Sequence, residues 1–83
     1  MSKDKLYIEG ELFLSLETVA AIYKVQIVWL QQVYEYGLLG TGVDRDATVC
    51  IASIYLDRVA TIVRLHDKLG LDLDMISVSL EEV

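Results

Sequence analysis

The chain has 83 residues, 54% of them hydrophobic, and a formal net charge of −6 from 13 acids against 7 bases. That length makes one domain, spanning 1–83, and so small a domain buries only about 60% of its unfolded surface. The acidity disfavours a phosphate backbone as partner and suits a basic protein surface, although acids also serve simply to keep an apolar domain in solution.

So much apolar content leaves surface for a protein interface, and room for a homodimer. No apolar run reaches the roughly 18 residues that span a bilayer, so no membrane partner is expected. The most apolar segment, 52–65, is interrupted by Asp57, Arg58 and Arg64. The N-terminus lacks the apolar core and cleavage site of a signal peptide, and a cytoplasmic location is expected. The single cysteine, Cys50, has no partner for an internal disulfide and agrees with a reducing compartment.

Residues 1–4 read as a loose end. From Leu6 to Leu14 the pattern alternates. It predicts one strand with Leu6, Ile8, Leu12 and Leu14 on its buried face and a bend at Gly10. Ser15 is the expected N-cap of a first helix whose apolar positions are Leu16, Val19, Ala20 and Tyr23. Lys24 and Val25 form a turn, and Gln26 is a weak cap for a second helix over 26–36. Ile27, Leu30, Val33 and Tyr34 share its inner face, leaving Val28, Gln31, Gln32 and Glu35 outside. Gly37 is placed to end that helix in a left-handed conformation, with Leu38 folding back.

Residues 40–46 read as loop and 48–51 as a second strand, pairing with 6–14 to make a small wing. Ser53 is the expected cap of a third helix over 54–69. Its seam is Tyr55, Val59, Ile62, His66 and Leu69, closed by Gly70. Asp72 caps a last helix with Leu73, Ile76, Leu80 and Val83 on its apolar stripe. The expected fold is therefore mainly α with a small β wing, a winged helix-turn-helix of four helices and two short antiparallel strands.

Little in the chain points to chemistry. One histidine and one cysteine do not make a metal site, and no nucleophile elbow or phosphate loop is present. No cofactor is implied and no enzymatic activity is expected. His66 reads as a packed histidine in its helix seam and Cys50 as a small core residue. Trp29 and Tyr36 fall at the edges of the buried face of the second helix. They are candidate anchors for a protein partner, since such residues dominate binding hot spots.

The order of helix-turn-helix, wing, helix, glycine and helix resembles the DNA-binding half of the MerR-type regulators. In that family a Gly-Val-Ser turn precedes the second helix, which closes with Gly-Leu-Leu. Here the turn is Lys24-Val25-Gln26 and the close is Gly37-Leu38-Leu39. The segment from Leu69 to Ile76 is similar to the family's leucine-glycine-aromatic-x-leucine-x-x-isoleucine run. MerR-type DNA readers carry arginines at places matching Val28 and Gln31, whereas residues 26–44 here hold no lysine or arginine. DNA is therefore the disfavoured partner, and a MerR-like DNA-binding regulator the second reading.

A sub-branch is closer. The segment 63–72, Val-Arg-Leu-His-Asp-Lys-Leu-Gly-Leu-Asp, resembles the Val-Arg-Leu-Arg-x-x-Leu-x-Leu-Asp run of the MerR-like chaperone-modulator family, CbpM-type. The following Ile76-Ser77-Val78-Ser79-Leu80 is similar to that family's Ile-Ala-Val-Ala-Leu. The resemblance implies a non-enzymatic protein that binds the J-domain of a DnaJ-like co-chaperone and tunes its action on Hsp70. J-domains carry a basic helix beside their Hsp70-contacting loop, which an acidic surface is suited to cover. No contact residue transfers by motif. Charge and expected exposure select Asp57, Asp67, Asp72, Asp74 and Glu81 as protein-binding candidates beside Trp29 and Tyr36. For any single acid, a solvated face is an equally good reading. The family commonly continues into a C-terminal coiled segment. This sequence stops at Val83, which leaves dimerisation through such a segment an open expectation.

Overall fold

The N-terminal alternation folds as a hairpin and not as one bent strand. In the computed structural model, which describes residues 5–81, β1 (Lys5–Ile8) turns at Glu9-Gly10 into β2 (Glu11–Ser15). Both turn residues have positive φ, 52° and 83°. That is the two-residue loop whose twist matches a right-twisted strand pair. Gly10 adopts it without steric cost; Glu9 does not.

The hairpin also reshuffles the faces. Tyr7 lies opposite Leu12, and Leu6 opposite Phe13, so Leu12 and Leu14 share a face with Tyr7. Ile8 falls with Glu11 on the other side and is 37% exposed, while Leu14 is buried. The expected grouping of Leu6 and Ile8 with Leu12 and Leu14 is therefore wrong. Antiparallel pairing across a two-residue turn matches even with odd positions.

A second hairpin joins β3 (Val43–Arg45) to β4 (Thr48–Ala52) through Asp46-Ala47, again with both φ positive, 52° and 63°. β4 pairs antiparallel with β2, Leu14 opposite Ile51, and the sheet order is β1-β2-β4-β3. Among the described residues there are thus four strands in one curled antiparallel sheet and four helices. This corrects the expectation of a mainly α chain with two short strands: the protein is a small α/β domain. In sequence the first hairpin looks like a single run and β3 looks like loop. Their turns carry neither of the Asn-Gly and Asp-Gly pairs that mark a hairpin.

The helices start and stop for local reasons. Ser15, almost fully buried, accepts a hydrogen bond from the Thr18 amide at 3.1 Å and caps α1 (Leu16–Tyr23). Lys24 ends α1 in the left-handed region, φ 57° and ψ 45°. Gln26 precedes α2 (Ile27–Glu35) with no side-chain cap. A single 3-10 turn, Ser53–Tyr55, leads into α3 (Leu56–Leu69), so the helix starts later than expected and Ser53 does not cap it. Gly70 closes α3: its amide reaches the His66 carbonyl and the Leu71 amide reaches that of Leu65, at 3.1 and 3.4 Å. Asp72 then caps α4 (Leu73–Glu81), its Oδ1 accepting from the Met75 amide at 2.9 Å.

The core forms where the sheet face meets the helices. Val19, Leu30, Val33, Leu39, Ile51, Val59, Ile62 and Ile76 are each 1% exposed or less. Side-chain hydroxyls pin the layers together. The Tyr23 hydroxyl donates to the Leu56 carbonyl at 3.0 Å, and the Gly42 amide donates to the Tyr34 hydroxyl at 3.0 Å. Two expected core positions fail: His66 and Leu69 are exposed, because α3 outruns the layer it packs on. Val83, expected on the stripe of the last helix, and the loose end at 1–4 lie outside the described residues.

Candidate functional site

One side of α2 meets the end of α3 and the start of α4 at one corner of the molecule. α2 brings Trp29 and, just past its last turn, Tyr36; α3 brings His66; the α3–α4 corner brings Asp72 and Asp74. The Trp29 and His66 rings lie 4.8 Å apart at 32°. The imidazole is held from behind, since its Nδ1 is 3.2 Å from the Leu71 carbonyl. A carbonyl only accepts, so Nδ1 carries the proton and Nε2 is left for the outer side.

Tyr36 is tied across the corner. Its hydroxyl donates to Asp74 Oδ1 at 2.7 Å, a charge-assisted bond. That bond raises the phenol above its ordinary pKa; burial and the charges of Asp74 and Asp72 push the same way. Asp72 gives Oδ1 to the α4 cap, and its carboxylate still lines the cleft between the helices. That cleft holds about 560 Å³ and is lined by the rings of Trp29, Tyr36 and His66 together with Gln32, Glu35, Asp72 and Leu73.

The Trp29–His66 pair is a ridge. On its far side a second cleft of about 320 Å³ runs between Lys24, Val25, Gln26 and Asp67. The structure therefore collects five of the seven sequence candidates, Trp29, Tyr36, Asp67, Asp72 and Asp74, on one corner. Asp57 lies elsewhere, in a cleft with Ile54, Tyr55, Arg58, Thr61 and Leu80. Glu81 is exposed at the described end of α4 and lines none of these clefts.

Sequence reasoning misses His66 and Glu35 as site residues. Helical spacing places His66 in the buried seam, but it stands one turn beyond Ile62, where the buried part of α3 ends. Glu35 reads in sequence only as part of an exposed face. The signal for both is the pair of helix ends marked by Gly37 and Gly70, which set these side chains facing across one corner.

Between α2, the start of α1 and the β3–β4 turn lies a further cleft of about 370 Å³. It is lined by Leu16, Glu17, Ile27, Gln31, Tyr34, Glu35 and residues 47–49, with carboxylates and no lysine or arginine. Among the described residues no three His, Cys, Asp or Glu side chains gather as a metal-ion site, and no helix is long and apolar enough to cross a membrane. The corner can therefore do two things chemically: stack a planar or cationic group on its rings, and offer it carboxylate oxygens.

No protein-family model, curated protein or solved structure matches the chain.

Proposed function

We propose that this protein is a non-enzymatic, cytoplasmic modulator that binds the J-domain of a DnaJ-like co-chaperone and tunes its action on Hsp70. The resemblance of residues 63–80 to the chaperone-modulator family motivates the reading. The observation that carries it is the corner itself. Trp29 and Tyr36, the two aromatic anchors, share one cleft with Asp72, are joined to Asp74 by a hydrogen bond from Tyr36, and have no lysine or arginine lining their cleft. A basic helix is the complementary surface. The exposed face of α2, which a DNA reader would fill with arginine, presents Val28, Gln31, Gln32 and Glu35, the last two also lining the cleft. Phosphate neutralisation supplies most non-specific DNA affinity, and that face offers no positive charge for it.

The test is a calorimetric titration of the full chain with a J-domain from the same cell, and separately with mixed-sequence duplex DNA. The expected result is saturable J-domain binding that weakens with salt, and a changed J-protein stimulation of the Hsp70 ATPase. Duplex DNA binding at physiological salt with no J-domain binding overturns the reading.

A further inference from the structure

We infer that the cleft between Trp29 and Tyr36 is a receptor for a single arginine side chain carried on a partner helix. The inference rests on the proposed reading only for the helix that carries the arginine. The chemistry of the cleft stands on its own geometry.

Three features converge on a guanidinium. First, the walls are aromatic. A planar cation stacks on Trp29 or Tyr36 with gain from both the ring quadrupole and its own apolar faces. The Trp29 ring packs on His66 at 4.8 Å, and the His66 ring in turn reaches the Leu71 carbonyl. Second, the rim is anionic on two sides. Glu35 lies on the α2 side and Asp72 on the α4 side. Asp72 gives only Oδ1 to an internal bond, and Asp74, outside the lining, accepts the Tyr36 hydroxyl through its own Oδ1 and so positions that ring. A forked donor can address two such carboxylates, which a lysine ammonium does not match. Third, the end of α2 lacks its counter-charge. Its last turn holds no basic residue and carries Glu35, so the partial negative charge of its terminal carbonyls is reinforced. A cation seated beside Tyr36 supplies the missing compensation.

The size agrees. About 560 Å³ is more than one side chain fills, which leaves room for the arginine stem to lie over Leu73. On the other side of the Trp29–His66 ridge the smaller cleft carries both Lys24 and Asp67. It has no such charge bias, so the arginine is directed to one side of the ridge.

Trp29 is the only tryptophan, so intrinsic fluorescence reads the site without a label. The full chain is titrated with an amphipathic helical peptide bearing arginines on its polar face, and with lysine and citrulline versions of the same peptide. The arginine peptide is expected to change Trp29 emission saturably. The lysine peptide binds about two- to fivefold more weakly, and the citrulline peptide leaves the emission unchanged. Glu35→Gln and Asp74→Asn are each expected to weaken the arginine peptide by about two- to fivefold. Equal binding of the arginine and lysine peptides overturns the inference, as does an arginine response that Glu35→Gln leaves intact.

The two proposals fail separately. A J-domain that does not bind, while the arginine peptide does, removes the partner and keeps the cleft. A J-domain that binds wild type and Glu35→Gln alike, with no peptide response at Trp29, removes the cleft and keeps the partner.

Discussion

Replacing Ala47 by glycine should make the protein more stable, although it removes a methyl group and adds none. Ala47 is the second residue of the β3–β4 turn, with φ 63°, and follows Asp46 at φ 52°. A side-chain-bearing residue held in the left-handed region costs roughly 1–2 kcal/mol. Glycine removes that cost but makes the unfolded chain more flexible, which takes back about 0.4–1 kcal/mol. The net expectation is a stabilisation of about 0.5–1 kcal/mol, or about 2–8 °C in Tm for a domain of this size. Ala47 is exposed, so its methyl group contributes little burial. The substitution also gives the turn an Asp-Gly pair, the dipeptide most suited to it. Thermal and urea unfolding followed by circular dichroism measure the change. Gly10→Ala is the mirror control: a Cβ there meets nothing within 4 Å, yet φ is +83°. It should lose about 1 kcal/mol from backbone conformation alone. If Ala47→Gly instead lowers stability by the ordinary glycine amount, residue 47 is not left-handed, and the hairpin that makes β3 a strand is wrong.

Other substitutions test other joints. In Gly42→Ala the new Cβ would sit 2.5 Å from the Cys50 carbonyl oxygen and 3.0 Å from the Tyr34 hydroxyl. Backbone must move, and a loss of about 1–3 kcal/mol is expected in urea unfolding; an unchanged midpoint would place the loop elsewhere. Asp72→Ala removes the α4 cap and should cost about 1 kcal/mol, whereas Asp72→Asn, which can still accept the Met75 amide, should cost much less. Tyr36 should ionise above its ordinary value, since its hydroxyl donates a hydrogen bond to Asp74 and its neighbours are anionic. A phenol raised on folding contributes stability below its ordinary pKa, and that contribution is lost as pH rises through the folded value. A tyrosine-resolved titration by NMR should show this shift shrinking in Asp74→Asn; an identical Tyr36 curve in both proteins refutes the Tyr36–Asp74 hydrogen bond.

What is legible in the sequence is local. Ser15 and Asp72 announce their helices because a cap works through the next three residues. Gly70 announces the end of α3 in the same way. Leu30, Val33, Val59, Ile62 and Ile76 follow from helical spacing and are buried as expected. The sheet is not legible. Glu9 and Ala47 occupy conformations that their side chains do not favour, so the two turns are set by strand pairing across the sheet. Register and face then invert together, which is why Ile8 and Leu12 part company. The site is half legible. Residue type singles out Trp29, Tyr36 and the acids, but which of them meet depends on how one side of α2 lies beside the α3–α4 corner. His66 shows the limit: its spacing fits the buried seam, and only the length of α3 relative to its support carries it out to Trp29.

That dependence also decides which carboxylate matters most at the corner. Asp72 and Asp74 sit at the start of α4, where the helix end carries partial positive charge and the Met75 amide takes an oxygen of Asp72. Tyr36 takes an oxygen of Asp74. Much of their field is therefore spent inside the protein. Glu35 has the opposite setting. It stands in the last turn of α2, where terminal carbonyls add to its charge and no basic side chain opposes it. It also lines both the aromatic cleft and the cleft between α2, α1 and the β3–β4 turn. Of Glu35, Asp72 and Asp74, Glu35 is thus the one that neither a helix start nor an internal hydrogen bond offsets, although charge counting treats it as one acid among 13. The same placement bears on the two macromolecular readings. A carboxylate at the end of α2, lining both clefts, repels a phosphate backbone laid along that helix and attracts a basic side chain entering beside Tyr36. Glu35→Gln should therefore weaken a basic partner more than Asp72→Asn does, even though Asp72 is the candidate visible in the sequence.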